Sequence, residues 1–276
     1  MDYEILAPAG SIPDLKIMLE EQADAIYVGL NGFSSRPSSA DFSVKQIGEA
    51  ITLCHAQSVP LYVAINANVG QGQMDELIEQ ILQIDAMGAD AFILAEFGLV
   101  QALSGKLKHA ALHASTLMGV YNIETVRLLQ SMGVSRIVLY ANLYFEEIAQ
   151  IIRAVPEMEY ELVAEGGTCF NDICRCHIPH AEQNGEHILY CRKEFQLYRK
   201  EITGPAKPIS EPPTRTAEII GLYMAIGVKS YKVEGRTVPA AQRVPMVRAL
   251  RGAIGRFGEQ DGVPGTLHYF FRGNAR

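Results

Sequence analysis

Four of the five cysteines in this sequence lie within one short and otherwise polar stretch. They are Cys169, Cys174, Cys176 and Cys191, in the spacing C-x4-C-x-C-x14-C. Thiolates are soft ligands, and four of them around one position select zinc or an iron–sulfur cluster. The spacing lacks the paired C-x2-C turns of a structural zinc site, and C-x-C is awkward for the turn of a zinc ribbon. The pattern therefore predicts a metal centre and favours an iron–sulfur cluster.

Zinc is the alternative metal, since His177, His180 and His187 lie in the same stretch and could each supply a nitrogen ligand. Four unligated thiols in a loop would be prone to oxidation without any gain, so a bound metal is favoured. The fifth cysteine, Cys54, lies in the helical stretch EAITLCHAQ, where a buried and inert thiol is expected. An odd number of cysteines in a reducing compartment also argues against a disulfide framework.

Apolar runs alternate with amphipathic helical patterns along most of the chain. Most of these runs are continuous, as expected for parallel strands buried on both faces. The eight predicted strands are YEILAPAG, AIYVGL, LYVAINA, AFILAE, AALHAST, RIVLYAN, EYELVAEG and SYKVEG. Eight βα units predict a TIM-type (β/α)8 barrel, with an open doubly wound sheet as the alternative. No G-x-G-x-x-G turn follows any run, so dinucleotide binding has no support.

We expect residues 1–276 to form one barrel domain with a single long insertion after the seventh strand. The stretch 167–215 is far longer than an ordinary βα loop, contains the four clustered cysteines and ends in the proline-rich GPAKPISEPPTR. A connection of this length inside a compact domain is usually functional or disordered. We therefore predict that the insertion carries the metal near the barrel mouth.

In this architecture the chemistry gathers at the C-terminal ends of the strands, so polar residues that end the apolar runs are candidate site residues. The predicted catalytic residues are His113, Glu165 and Glu234. The predicted substrate-binding residues are Asn66, Asn68, Tyr140, Asn142, Lys232 and Arg236. Each of them alone also has an ordinary structural explanation, such as a turn, a cap or an ion pair.

The last predicted strand, SYKVEGR, alternates between apolar and charged residues. Lys232, Glu234 and Arg236 fall on one face of it, with Tyr231 and Val233 on the other. Three charged side chains inside a barrel must neutralise one another or bind something charged. We expect Lys232 and Arg236 to anchor an anionic small molecule.

The composition restricts the class of partner. A formal net charge of -7 argues against a surface that wraps a nucleic-acid backbone, because phosphate binding depends on clustered Lys and Arg. RKEFQLYRK at 192–200 is either a local basic patch or a solvated helix face. Neither a leader-like N-terminus nor an apolar run of roughly 18 residues is present, which predicts a cytoplasmic protein without a membrane span.

Four motifs in this order resemble the family known as peptidase U32. They are YEILAPAGS, ADAIYVGLNGFSSR, LHAST and SYKVEGR, and they are spread over nearly the whole chain. Several members of that family are oxygen-independent hydroxylases that carry a 4Fe-4S cluster on four cysteines. Their substrates are ubiquinone precursors or pyrimidines of ribosomal or transfer RNA, with prephenate implicated as the oxygen source. A few members have been described as collagen-degrading proteases.

The resemblance extends to the cysteines in part. Cys169 matches the family cysteine that follows the seventh strand, Cys176 fits the one seven residues later, and Cys191 occupies the region of the next. Cys174 has no counterpart and is expected to replace a ligand found elsewhere in other members. EGGTC and CRKEF depart from the H-G-A-L-C and C-x-x-x-C-R that members commonly show, which implies a divergent subgroup with its own substrate.

The resemblance implies an iron–sulfur enzyme that hydroxylates a small aromatic or prenylated substrate or an RNA base without dioxygen. In it the four clustered cysteines hold the cluster, and His113 and Glu165 are the candidates for proton transfer. A small anionic substrate and a prephenate-like oxygen donor are favoured over RNA, because the RNA-modifying members are longer and this chain is acidic. Members of the ubiquinone pathway work in pairs, which implies a hetero-oligomer with a related U32 chain.

Two other classes of function stay open. One is a U32-type peptidase that uses zinc or another hydrolytic centre, although the sequence contains neither H-E-x-x-H nor G-x-S-x-G. The other is a non-catalytic partner subunit of a similar barrel chain, whose cluster is structural. Metal content separates the iron–sulfur hydroxylase from the zinc peptidase. Co-purification with a second barrel chain points to the partner subunit.

Overall fold

The computed structural model describes residues 3–35, 41–140, 143–166, 219–236 and 238–258, together with Ala217 and the backbone of seven short strands between residues 180 and 215. Eight parallel strands form a closed barrel, because the first strand pairs with both the second and the eighth. These strands are β1 (Glu4–Pro8), β2 (Ala25–Leu30), β3 (Leu61–Ile65), β4 (Ala91–Leu94), β5 (Ala111–Ala114), β6 (Val134–Val138), β7 (Glu159–Gly166) and β8 (Ser230–Val233). The predicted TIM-type barrel is confirmed.

The helices that surround the barrel are α1 (Ile12–Glu20), α2 (Val44–His55), α3 (Met74–Ala86), α4 (Phe97–Leu103), α5 (Ile123–Ser131), α6 (Phe145–Ala154), α7 (Ile220–Ile226) and α8 (Ala240–Gly258). Several of these helices begin with a polar N-cap residue. For example, Ser43 and Gln46 form a capping box at the start of α2. Helix α8 begins at Ala240, five residues before Pro245, because the Ala-Ala-Gln-Arg segment before the proline has a strong helix propensity. None of the described helices is long and apolar enough to cross a bilayer.

The alternating side chains of the strands divide between two cores. Outward-facing residues such as Ile5, Val28 and Val63 pack against the helices in the larger core. A smaller core runs along the inside of the barrel and consists of Leu6, Ala25, Tyr27, Tyr62, Ala64, Ala91, Ile93 and Val138. Each buried aliphatic side chain of this kind stabilises the fold by about 1.5–3 kcal/mol. The larger core therefore holds the ring of helices on the barrel, while the barrel interior is only partly apolar.

Aspartate carboxylates fix the N-terminal end of the barrel. Asp24 accepts a hydrogen bond from the backbone N–H of Ile5 at 2.8 Å, and Asp90 accepts one from that of Leu61 at 2.7 Å. Asp85 accepts from the backbone N–H groups of residues 108–110, just before β5. Burial alone would raise the pKa of Asp85, but these backbone donors bring it below its ordinary value. These carboxylates are structural ties.

The cysteine-bearing stretch leaves the barrel and returns to it at the same place. Strand β7 ends at Gly166, where that stretch begins. Residues Thr214–Arg215 pair antiparallel with the end of β7, with Thr214 opposite Gly166 and Arg215 opposite Glu165. Both ends of the stretch therefore lie at the C-terminal end of β7. The four clustered cysteines between them lie outside the described residues.

Candidate functional site

Two glutamate–glycine pairs lie side by side at the C-terminal mouth of the barrel. Strand β7 ends in Glu165 and Gly166, and Glu234 follows β8 directly. The backbone N–H of Glu234 donates to the carbonyl oxygen of Glu165 at 2.8 Å. A Cβ on Gly166 would lie 2.7 Å from the Cβ of Glu234 and 2.9 Å from its carbonyl oxygen, so only glycine permits this approach. The structure thus brings two predicted catalytic residues together where the cysteine-bearing stretch begins.

His113, the third predicted catalytic residue, is buried inside the barrel. Its ring packs edge-on against that of Tyr62 at a centroid distance of 5.1 Å, and within the part of the chain that the structure describes its Nδ1 has no hydrogen-bonding partner. Burial lowers the pKa of His113 well below 6.5, and the positive charges of Arg136 and Lys232 lower it further. The imidazole is therefore neutral at physiological pH, and its protonation is disfavoured.

Lys232 faces the barrel interior, as the alternation along β8 predicts, while Tyr231 and Val233 lie in the outer core. Its Nζ lies 3.2 Å from Oε1 of Glu161 and 4.1 Å from the centre of the Tyr27 ring. The charge is therefore balanced by a carboxylate of the same chain and by the face of an aromatic ring. Anchoring of an anion by Lys232 stays a prediction.

Arg236 is also bound within the chain. Its Nη1 lies 2.9 Å from Oδ1 of Asp41, and its Nη2 donates to the hydroxyl of Ser34. The guanidinium carbon is 5.7 Å from the centre of the Tyr27 ring, on whose face Lys232 also lies. The charges of Lys232 and Arg236 are thus neutralised within the protein, by carboxylates that the sequence did not predict. Binding of an anion by Arg236 stays a prediction.

The remaining predicted substrate-binding residues differ in their surroundings. Asn66 uses its Oδ1 to accept the backbone N–H of Ser35 at 3.0 Å, so it shapes the loop after β2. Asn68 is exposed. Tyr140 is buried and packs on the ring of Tyr121 at a centroid distance of 4.6 Å. Asn142 lies outside the described residues.

A buried network in the N-terminal half of the barrel was missed by the sequence analysis. Arg136 forms ion pairs with Glu4 at 2.6 Å, Glu159 at 2.7 Å and Glu161 at 3.3 Å. The hydroxyl of Tyr62 donates to Glu4 at 2.6 Å. Burial would lower the pKa of Arg136, but Glu161 and Glu4 raise it above its ordinary value, so the guanidinium stays charged.

A signal for this network was present in the sequence. Glu159, Glu161 and Glu165 occupy odd positions of one strand, and Arg136 lies in an otherwise apolar strand. Side chains with this period share a face, so the glutamates had to point into the barrel. Because the N-terminal half of such a barrel usually serves stability, we regard the Arg136 network as structural.

The predicted metal ligands lie outside the described residues; they are Cys169, Cys174, Cys176 and Cys191. Within the described residues, no group of three or more His, Cys, Asp or Glu side chains is arranged to hold a metal ion. Cys54 is buried, as expected, and burial raises the pKa of its thiol to about 12. Cys54 is therefore protonated at physiological pH and unsuited to bind a metal.

Aromatic side chains surround part of the mouth. Phe97, Tyr121 and Tyr144 are 38%, 43% and 75% exposed, and no other Phe or Tyr of the described residues belongs to the exposed large side chains. They lie at the N-terminal ends of α4, α5 and α6, in three consecutive βα connections. Since these helix ends face the C-terminal mouth of the barrel, the three rings flank the candidate site on one side.

Solved structures with a similar fold include one described as the U32 peptidase Mk0906. It superposes with a TM-score of 0.52 and 15% sequence identity over 60% of this chain and 70% of the other. A thiamine phosphate pyrophosphorylase from Pyrococcus furiosus superposes with the same TM-score of 0.52 at 11% identity, over 92% of this chain. At such low identity these likenesses show the barrel fold alone.

Two curated relatives with more similar sequences are named for RNA modification. A tRNA hydroxylation protein P from Helicobacter pylori (strain J99) is 28% identical over 92% of this chain and 65% of its own length. The 23S rRNA 5-hydroxycytidine C2501 synthase of Escherichia coli (strain K12) is 25% identical over 98% of this chain and 44% of its own length. This chain therefore spans less than two thirds of either relative.

The model of the family described as peptidase family U32 matches residues 10–266. The match includes β2 to β8, the predicted site residues and the cysteine-bearing stretch. The family that the four sequence motifs suggested is thus the one whose model matches most of the chain, and this protein belongs to peptidase family U32.

Proposed function

We propose that this chain hydroxylates a base of an RNA substrate with the help of an iron–sulfur cluster. The observation that carries the proposal is the similarity over 92% of the chain to a protein named for tRNA hydroxylation. A second relative, similar over 98% of the chain, is named for hydroxylation of a cytidine in 23S rRNA. The earlier preference for a small anionic substrate gains no support from these relatives.

Four thiolates are a donor set that suits a 4Fe-4S cluster, so Cys169, Cys174, Cys176 and Cys191 are the proposed ligands. When bound, such a cluster supplies one-electron chemistry. The two ends of the stretch that carries these cysteines meet at Gly166 and Thr214, at the barrel mouth. This attachment supports a site in which the cluster and the mouth residues serve one reaction.

The chain's own residues would handle binding and protons. His113 is a proposed proton-transfer group, because its imidazole is neutral and no described residue forms a hydrogen bond with its Nδ1, which leaves that nitrogen open to a substrate. Glu165 and Glu234, at the ends of neighbouring strands, are the proposed acidic groups of the same site. Lys232 and Arg236 are already paired with carboxylates, so a role in binding a prephenate-like oxygen donor would require exchange of these partners.

The exposed aromatic rings at the mouth suit an RNA substrate. Unpaired bases are commonly held by stacking on Tyr and Phe side chains, which is tolerant of sequence. The chain is acidic overall, with a formal net charge of -7, so contacts to base faces fit its surface better than contacts to phosphates. We expect Phe97, Tyr121 and Tyr144 to contact unpaired nucleotides next to the modified base.

The test combines metal analysis with nucleoside analysis. The protein is purified without air and analysed for iron, sulfide and zinc, and tRNA and rRNA from cells with and without the gene are compared by mass spectrometry of their nucleosides. We expect a brown protein with about four irons per chain and a hydroxylated pyrimidine that requires the gene. Cys176→Ala should abolish both, whereas Cys54→Ala, which alters a buried thiol on α2, should abolish neither.

Other results would point to the other classes of function. Colourless protein with one zinc and peptide cleavage would favour the hydrolase. A cluster-containing protein that shows activity only together with a second U32 chain would favour a partner subunit. Unchanged nucleosides in RNA from both strains would exclude RNA hydroxylation as proposed here.

A further inference from the structure

Arg236 lies across the barrel mouth on the surface of Gly29. Gly29 belongs to β2, Arg236 follows β8, and β1 lies between these two strands. A Cβ on Gly29 would lie 1.7 Å from Nη1 of Arg236 and 2.1 Å from Oδ1 of Asp41. The missing side chain of Gly29 therefore creates the space in which the ion pair between Arg236 and Asp41 forms.

The same guanidinium holds the loop that follows β2. We call residues Phe33–Ser35 of this loop the mouth edge. Arg236 donates to the Ser34 hydroxyl, and the backbone N–H of Ser35 donates to Asn66 at 3.0 Å. The mouth edge is thus bound from the β8 side by Arg236 and from the β3 side by Asn66. Both residues were predicted to bind substrate, which stays a prediction, and in the structure both hold the mouth edge.

The carboxylate of Asp41 is not optimised for stability. Its side chain is 1% exposed, and its Oδ2 has no hydrogen-bonding partner among the described residues. Burial raises the pKa of Asp41 to about 6, although Arg236 and Ser34 act in the opposite direction. Because folding raises the pKa of Asp41, its carboxyl group stabilises the folded state most below its ordinary pKa of 3.8. This stabilisation is lost as the pH rises to about 6. At neutral pH the ionised Asp41 therefore lowers the free energy of unfolding.

Asp85 provides the contrast. Its carboxylate is also buried, but three backbone N–H groups donate to it and its pKa is lowered, so it stabilises the fold when ionised. A buried carboxylate that lowers stability at neutral pH, next to a barrel mouth, is more typical of a functional site than of a structural tie. The geometry of its partners shows what Asp41 can do there: it orients Arg236, and Arg236 holds the mouth edge.

We propose that Asp41 is a positioning residue of the barrel mouth, which acts through Arg236 on Gly29 to fix the mouth edge against which the substrate binds. The part of this inference that concerns the substrate rests on the proposed RNA hydroxylation. The part that concerns the mouth edge does not, and it can be measured without any substrate.

The test compares Asp41→Asn with Asp85→Asn, because both changes neutralise a buried carboxylate and only one of them is at the mouth. The measurements on the cluster-containing protein are amide hydrogen exchange of residues 30–35, the melting temperature at neutral pH, and the KM and kcat for tRNA. For Asp41→Asn we expect at least about tenfold faster exchange at the mouth edge, an unchanged or raised melting temperature, and a KM raised about tenfold with a smaller effect on kcat. For Asp85→Asn we expect a lower melting temperature and unchanged exchange at residues 30–35.

Gly29→Ala gives a second route to the same result, because it changes no polar group. Its methyl group would occupy the position of the guanidinium and push Arg236 away from Asp41. We expect faster exchange at the mouth edge and a higher KM, as for Asp41→Asn. Unchanged exchange in Asp41→Asn, or a melting temperature that falls together with activity as in a structural variant, would overturn the inference. Faster exchange in a protein that leaves RNA unmodified would retain the role in positioning and reject the proposed substrate.

Discussion

The ammonium group of Lys232 lies 3.2 Å from the carboxylate of Glu161 inside the closed barrel. Glu161 is also 3.3 Å from Arg136, and Lys232 shares the face of Tyr27 with Arg236. The Lys232–Glu161 pair therefore connects the structural network in the N-terminal half of the barrel with the ion pair at the mouth. Through this pair, charged side chains contact one another along the length of the partly apolar barrel interior.

Replacement of Lys232 by Met should destabilise the fold. The change leaves Glu161, whose side chain is fully buried, with Arg136 as its remaining charged partner. Removal of one member of a buried pair usually costs about 3–5 kcal/mol, and because Arg136 remains we expect a loss of about 2–3 kcal/mol in the free energy of unfolding. Urea denaturation at neutral pH measures it.

The matched control for this substitution is Lys229→Met, which removes an exposed lysine just before β8 and should change stability by less than about 0.5 kcal/mol. Combining Lys232→Met with Glu161→Gln should recover most of the loss, since no buried charge is then left without its partner. If Lys232→Met is as stable as Lys229→Met, the interior ion pair is not formed in solution.

His113 should make stability depend on pH in a defined direction. Its pKa in the folded protein is well below 6.5, so below about pH 6.5 the unfolded chain takes up a proton that the folded chain does not. The contribution of the neutral imidazole is thus present above pH 6.5 and is lost as the pH falls, by up to about 1.4 kcal/mol per pH unit.

In His113→Gln this part of the pH dependence should be missing. Urea denaturation at several values between about pH 5 and 8 measures it, and the difference between the two proteins isolates the imidazole from other titrating groups. Parallel curves for wild type and variant would mean that the pKa of His113 is the same in the folded and the unfolded protein, so that the fold does not hold the imidazole neutral.

The exposed rings at the mouth should contribute to RNA affinity. Stacking of a base on an aromatic ring is worth about 1–3 kcal/mol, so Tyr144→Ala and Phe97→Ala should each weaken binding of unmodified tRNA about tenfold. Filter binding with anaerobically prepared protein measures this. Leu128→Ala is the control, because it removes an exposed apolar side chain from α5 outside the three connections at the mouth. Equal affinities for all of these proteins would speak against base stacking at the mouth.

The fold could be predicted from the sequence because each of its units carries a local signal. Continuous apolar runs such as AIYVGL and LYVAINA are buried on both faces in the structure, as parallel strands must be. The predicted boundaries were less accurate. Strand β6 starts at Val134, two residues before the predicted RIVLYAN, because the polar Ser135 interrupts the apolar run that the prediction relied on.

The candidate site could be predicted only in part. Strand ends identified Glu165, Glu234 and Lys232, since position along a strand is visible in a sequence. The partner of Arg236 was not visible, because Asp41 is 195 residues away and meets it only when the barrel closes. The same holds for Arg136 and Glu4, which are 132 residues apart. Long-range pairing depends on strand order, which no local pattern encodes.

The pairing of Thr214 with Gly166 makes the cysteine-bearing stretch resemble an exchangeable cassette. Because its entry and exit are neighbours on one strand, the barrel would remain complete if a tight turn replaced everything between them. Conversely, the stretch could be transplanted to another barrel with the same strand end without disturbing the recipient's closure. Within this architecture the cysteine-bearing stretch and the barrel are thus free to diversify at different rates.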